Sequence, residues 1–164
     1  MNRTTEPNQM PTGRVAIFPG SFDPFTIGHD SIVRRGLTLF DKIVIAVGVN
    51  IHKPDSARRA NEKLETISAL YADIPAVKVV VWEGLTADLA KLEGSRFILR
   101  GVRSVTDFEY ERNIADVNRQ IAGLETVILF AEPALAAISS SVVRELSAFG
   151  HDVSSYLPTK ANSL

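Results

Sequence analysis

The chain has 164 residues, 45% of them hydrophobic, and a formal net charge of −1. That length suits one domain with a real core, and the balanced charge argues against a nucleic-acid or polyanion scaffold. The absence of cysteine excludes a disulfide framework, a thiolate zinc site and a thiol nucleophile and suits a reducing cytoplasm, while no apolar run approaches the ~20 residues that span a bilayer.

Residues 1–13 are polar, hold two prolines and lack the apolar centre of a signal peptide. They read as a flexible tail. Val15 to Phe18 is a short apolar run, expected to be a buried strand. The turn that follows, Phe18-Pro-Gly-Ser-Phe-Asp-Pro-Phe-Thr-Ile-Gly-His29, is shaped by Pro19, Gly20, Pro24 and Gly28. Ser31 to Phe40 then shows apolar residues at helical spacing. The stretch is therefore a strand-to-helix crossover. Its glycines allow close approach of a ligand, and the helix N-terminus offers unpaired N–H groups to an anion. His29, in the first turn of that helix, faces the same place.

Further along, strand and helix patterns alternate. Lys42 to Val49 is a β-branched run suited to a strand buried on both faces. Asn50 to Ala60 is polar, contains Lys53-Pro54 and reads as a loop. A helix is expected over 61–72, with Leu64, Ile67, Ser68 and Tyr71 sharing a face. Val77 to Trp82 is the third strand, and Thr86 to Leu92 a short helix. The fourth strand is expected over 96–99, followed at once by Arg100-Gly-Val-Arg103. Thr106 to Ile121 is the longest helix, with Gly123 placed as its C-cap. Thr126 to Phe130 is the fifth strand. The serine run Ser139–Ser141 opens the last clear helix, which Gly150 stops, and the remaining tail has room for one more turn.

Five strands alternating with helices predict an α/β, single-domain, Rossmann-like five-stranded parallel sheet with helices on both faces. The domain is expected over 14–158, with 159–164 as a C-terminal tail. In such sheets ligands sit outside the carboxyl ends of the strands. Ser21 to His29, Lys53, Arg100 to Arg103 and Ser139 to Arg144 all follow strands, so the topology brings them to one edge of the sheet.

Each of these groups also has a plainer reading. A lone Lys53 suits a solvated surface, but in a crevice it is a mobile charge for a phosphate. Arg100 and Arg103 suit either phosphate oxygens or salt bridges to Asp107, Glu109 or Glu111. Asp107 and Glu111, four apart, share a helix face. They suit orienting the arginines, or accepting hydrogen bonds from a ribose or an adenine amino group; as a metal pair they lack a third ligand. One serine of the run caps the last helix. The others, with Arg144 one turn inside, suit a triphosphate. His52 and His151 read as surface residues. No nucleophile–base pair stands out. The inventory suits positioning and charge stabilisation in phosphoryl or nucleotidyl transfer.

Gly-Ser-Phe-Asp-Pro-x-Thr-x-Gly-His29 resembles the nucleotidylyltransferase signature. With Arg100-Gly-x-Arg-x-x-x-Asp-Phe-Glu-Tyr-Glu111, Asn118-Arg119 and Ile138-Ser-Ser-Ser-x-x-Arg-Glu145 in the same order, residues 14 to 158 resemble the bacterial phosphopantetheine adenylyltransferase family. The resemblance implies transfer of the adenylyl group of ATP to 4′-phosphopantetheine, giving dephospho-coenzyme A and pyrophosphate, with Mg²⁺ carried on ATP. It implies His29, Lys53 and Arg103 as catalytic residues. The ATP site would comprise Ser21, Phe22, His29, Gly101, Val102, Arg103 and Glu111, together with Leu135, Ala136, Ala137, Ile138, Ser139, Ser140 and Ser141. Ser21, Lys53, Thr86 and Arg100 would bind the acceptor. It also implies a cytoplasmic homohexamer with coenzyme A as feedback inhibitor, and no membrane or nucleic-acid partner. Leu135-Ala136-Ala137 stands where an aromatic-containing segment is usual, which implies backbone contacts to adenine. Enzymes for nicotinamide mononucleotide or glycerol phosphate would share the His29 motif and the serine run; the segment 100–111 favours pantetheine. A phospho-receiver is disfavoured because Asp23 stands alone after the first strand.

Overall fold

A computed structural model describes residues 13–160. The tails read over 1–13 and 159–164 lie, up to residue 12 and from residue 161, outside the described residues. The strands are β1 (Val15–Gly20), β2 (Lys42–Gly48), β3 (Val77–Trp82), β4 (Phe97–Val102) and β5 (Glu125–Phe130). The helices are α1 (Ile27–Gly36), α2 (Ser56–Leu70), α3 (Thr86–Leu92), α4 (Val105–Ala122) and α5 (Ser140–Ala148). Short 3₁₀ turns follow at Pro133–Leu135 and Ser154–Tyr156.

All five strands are parallel, in the order β3-β2-β1-β4-β5. The expected Rossmann-like sheet is therefore present. Alternation along each strand sends side chains to opposite faces. On one face Ala16, Phe18, Ile43, Ile45 and Leu99 pack with Ile32 and Val33 of α1 and Ala60 and Ile67 of α2. On the other, Ile17, Val44, Ala46 and Ile98 pack with Leu89 and Ala90 of α3. The central strands carry Val and Ile almost throughout because both their faces are covered.

The strand order reverses between β1 and β4, which makes their carboxyl ends the switch point. These two strands pair only at Ala16↔Phe97 and Ile17↔Ile98. Beyond Ile17 the ladder stops, and a crevice opens between the strand ends.

Several boundaries differ from those read in the sequence. β1 runs on to Gly20, because Pro19 and Gly20 continue the ladder to Ala46 and Val47 of β2. α1 begins at Ile27 and ends at Gly36. The polar loop read over 50–60 is shorter, since α2 starts at Ser56 and buries Ala60. β4 starts at Phe97 and continues to Val102, because Arg100, Gly101 and Val102 pair with Ile128, Leu129 and Phe130 of β5. Only Arg103 of that segment lies beyond the strand. Gly123 caps α4 at φ 63°, the left-handed conformation that favours glycine.

Candidate active site

The loop between β1 and α1 is fixed by its aromatic residues. Phe22 adopts φ +46°, a conformation costing a bulky residue on the order of 1–3 kcal/mol. Packing holds it there. The residue is 3% exposed, and its ring lies 5.3, 5.2 and 5.2 Å from the rings of Phe18, Phe25 and His29. The Phe25 ring stacks on His29 at 5.4 Å.

Thr26 is the N-cap of α1, and His29 occupies the third helical position. Glu or Gln usually reaches back from there to the cap. Here the imidazole does so: the Thr26 backbone N–H donates to His29 Nδ1 at 3.0 Å. A backbone N–H can only donate, so Nδ1 holds a lone pair and the neutral ring carries its proton on Nε2. Burial, and then the positive charges of Arg100 and Arg103, hold the His29 pKa down at about 4. Around neutral pH His29 is thus an uncharged Nε2–H donor.

β4 and α4 supply the cations. A Cβ on Gly101 would meet Ile32 at 2.9 Å, so glycine is what lets α1 lie this close to β4. Arg100 Nε donates to Glu111 Oε2 at 2.7 Å and Nη2 to Oε1 at 2.5 Å. Its Nη1 donates to the Pro19 carbonyl, spanning β1 and β4 beyond the end of their ladder. Arg103 Nε donates to Asp107 at 3.0 Å. Between the carboxylate partners left open by the sequence, Glu111 goes to Arg100 and Asp107 to Arg103.

The start of α5 closes the third side. Ser139 caps it, accepting from the Val142 N–H at 3.1 Å. Ser140 Oγ donates to the Pro24 carbonyl at 2.8 Å. Arg144 donates to the Asp23 carbonyl at 2.5 Å and to Ser141 Oγ at 3.2 Å. The Asp23 carboxylate meets Arg59 at 3.2 Å and Lys63 at 3.3 Å. Burial pushes that carboxyl up, but Lys63, Arg59 and Arg144 outweigh it and hold the pKa below the usual value. The loop at 21–26 is thereby tied to both α2 and α5.

Between these elements lies a cavity of about 310 Å³, at the small end for ligand sites. Of the residues singled out in the sequence, it is lined by Ser21, Phe22 and His29 from the first crossover, and by Arg100, Gly101, Val102, Arg103 and Glu111 from the fourth. Leu135, Ile138, Ser139, Ser140 and Ser141 line its third side. Thr86 lines an adjoining crevice of about 230 Å³, which shares Pro19, Gly20, Arg100 and Glu111 with the cavity. Lys53, Ala136 and Ala137 are not in either lining, and Lys53 is exposed on the turn before α2. The structure adds Thr26 and Ile32 to the cavity. For Thr26 the available signal was its spacing of three from His29.

A crevice at the switch point, carrying a helix N-terminus, a neutral histidine and arginines, is the equipment of an α/β nucleotide-handling enzyme. The cytidylyltransferase-like family model matches residues 17–146, and the chain belongs to that class. A solved structure from Vibrio parahaemolyticus assigned as a nicotinate-nucleotide adenylyltransferase shares the fold. Its TM-score is 0.58 at 17% identity, covering 92% of this chain and 96% of that one. Among curated relatives, the phosphopantetheine adenylyltransferase of Phocaeicola vulgatus is 52% identical over 145 residues, 88% of this chain and 95% of its own length. The Bacteroides thetaiotaomicron enzyme of that name is 49% identical over the same shares. That of Cytophaga hutchinsonii is 46% identical over 90% of this chain and 98% of its own. The chain is a member of the phosphopantetheine adenylyltransferase family.

Proposed function

We propose that this protein transfers the adenylyl group of ATP to 4′-phosphopantetheine, giving dephospho-coenzyme A and pyrophosphate. The observation that carries this reading is the cavity where the His29 Nε2–H and the guanidinium groups of Arg100 and Arg103 meet at the β1–β4 switch point. An oxygen of the acceptor phosphate attacks the α-phosphorus in line. The bond from that phosphorus to the α,β-bridging oxygen breaks, and the oxygen leaves with pyrophosphate. The attacking phosphate is already ionised at neutral pH, so no general base is needed. That agrees with a histidine held neutral and aimed as a donor. His29 donates to the charge that builds on the α-phosphate.

In this reading Arg103, the backbone at 101–102 and the start of α5 receive the nucleotide, with Phe22, Ser21 and Leu135 beside it and Glu111 within reach of the ribose. Arg100 holds the acceptor phosphate at the seam of cavity and crevice, and Thr86 meets the pantetheine arm. Lys53 joins from its exposed turn, and Ala136 and Ala137 flank the nucleotide without lining the cavity. Mg²⁺ would enter as part of the ATP complex. Among the described residues no three His, Cys, Asp or Glu side chains gather as a metal-binding group. The assembly we propose is a homohexamer in the cytoplasm, with coenzyme A competing at the site. Support for the assembly comes from α4, whose only buried residue is Glu111, while Tyr110, Ile114, Val117 and Ile121 are exposed at helical spacing.

The test is pyrophosphate release from Mg-ATP with 4′-phosphopantetheine or nicotinamide mononucleotide supplied separately. Release with phosphopantetheine alone is expected. Release with neither, from folded protein that still binds ATP, would overturn the enzymatic reading.

A further inference from the structure

Arg100 and Glu111 line both the cavity and the crevice. Three of the five N–H donors of the Arg100 guanidinium have a protein partner: Nε and Nη2 on Glu111, which fill that edge of the fork, and Nη1 on the Pro19 carbonyl. The Glu111 side chain is 7% exposed and that of Arg100 26%. A paired, bidentate contact of this kind matches the geometry by which arginine grips a phosphate, and here a carboxylate of the same chain occupies it. The carboxylate also cancels the charge that would attract an anion. The other site arginine differs. Arg103 pairs with Asp107 four residues on, with side chains 40% and 31% exposed, an arrangement that holds weakly.

We propose that Glu111 is an internal competitor for the anion that binds Arg100, and that it sets the binding threshold an anion must exceed to occupy the site. In the free protein the Arg100–Glu111 pair is closed and neutral. An arriving phosphate gains the Nε–Nη2 edge only as the carboxylate gives it up. A small free anion, such as inorganic phosphate, has only that exchange to gain and is turned away. An acceptor whose arm also fills the crevice beside Thr86 has further contacts to drive the exchange. The inference rests on the reading of Arg100 as the ligand of the acceptor phosphate.

The experiment measures binding of inorganic phosphate and of 4′-phosphopantetheine by calorimetry to wild type, Glu111→Gln, Arg100→Gln and the double variant. Gln keeps the size of Glu and removes its charge. Glu111→Gln is expected to bind inorganic phosphate about tenfold more tightly or better, the scale for removing one adjacent like charge from an anion site. Phosphopantetheine, which makes the same exchange, should tighten by a similar factor, and both changes should vanish in the Arg100→Gln background. Tighter anion binding is a readout that a merely structural glutamate would not give. If Glu111→Gln leaves phosphate binding unchanged or weaker while Arg100→Gln weakens phosphopantetheine, Glu111 only holds Arg100 in place. The inference then falls and the reading of the site stands. If Arg100→Gln leaves phosphopantetheine binding unchanged, the reading of Arg100 falls and takes the inference with it. Melting curves monitor folding. Should Glu111→Gln fail to fold, Glu111→Asp, one methylene too short to span both contacts, is expected to tighten phosphate by a smaller factor. No tightening there overturns the proposal.

Discussion

His29 and Arg100 reach one cavity from neighbouring strands, and the protein holds them in opposite ways. His29 is aimed by a backbone N–H through the cap of α1. It is uncharged around neutral pH, so it needs no counter-ion, and its Nε2–H is left for a ligand. Arg100 is charged and partly buried, and a buried charge is costly unless paired. The chain supplies Glu111. A neutral donor can therefore stand ready, whereas a cation arrives with its place already taken. Pre-organisation in this site belongs to the neutral group, and the proposed competition for the anion to the charged pair.

The largest effect expected from this contrast is on turnover. His29→Ala should leave ATP binding largely intact and lower kcat by about 100-fold or more, the scale for losing one transition-state donor. Single-turnover rates alongside calorimetric ATP binding separate the two. Wild-type turnover in the variant would remove His29 from the chemistry.

A second difference runs across α4 itself. Its inner side presents Glu111 to the site, while Val117 and Ile121 lie exposed on its outer side. If the proposed homohexamer packs on this face, Val117→Glu should lower the mass measured by light scattering, because a charge in a closely packed apolar contact is unpaired when buried. Equal masses for variant and wild type would mean that this face of α4 carries no such contact.

The neutral state of His29 also has a cost on acidification. Its pKa is about 4 in the folded protein against an ordinary 6.5. Between those values the unfolded chain binds a proton that the native chain does not, so stability falls as pH falls. The loss begins near the ordinary value and is complete below about 4. From about pH 7 to about pH 4.5 it should reach about 2 kcal/mol. Urea denaturation of wild type and His29→Asn at the two pH values measures it. Asn keeps an acceptor near Nδ1 and cannot titrate, so its acid-side loss should be smaller. Identical losses would mean that His29 is not the group responsible.

Which parts of this were readable in the sequence follows from what stabilises each. β3 and α3 fall where the pattern puts them, and β2 stops one residue short, because runs rich in Val and Ile leave little choice. β4 looked shorter because a charge followed by glycine resembles a strand end. In the fold the ladder to β5 runs through Arg100 and Gly101, and the charge is absorbed by Glu111. The first turn of α2 was hidden behind Pro54 and the polar Ser56, Arg58 and Arg59, but Ala60 reaches the core, and Arg58 pairs with Glu62 four residues on at 2.6 Å. At the site, residue types and their convergence at the strand ends were legible. The pairings were not: spacing offered Arg100 three carboxylates, and only the distance across β4 and α4 selects one. The His29 tautomer was likewise out of reach, since it depends on one backbone N–H. Lys53 illustrates the limit of position along the chain. It follows a strand as the others do, yet its turn holds it exposed and apart from the cavity lining.

The smallest effect concerns the start of α5, where a hydroxyl rather than a charge does the holding. Ser139 Oγ accepts from the Val142 N–H at 3.1 Å, satisfying one of the helix's free donors. Ser139→Ala removes that acceptor and should cost about 1 kcal/mol in urea denaturation, whereas Ser139→Gly should cost only a few tenths. The order of the two variants is the informative part. Glycine suits the extended cap position and lets water reach the freed N–H, so a cap predicts that alanine is worse. If Ser139 acted chiefly through its hydroxyl on bound nucleotide, the two variants would weaken ATP binding alike and change stability little. Denaturation and ATP calorimetry on both variants therefore separate a residue that builds the nucleotide site from one that touches the nucleotide. That is the same distinction that sets Thr26, acting through His29, apart from His29 itself.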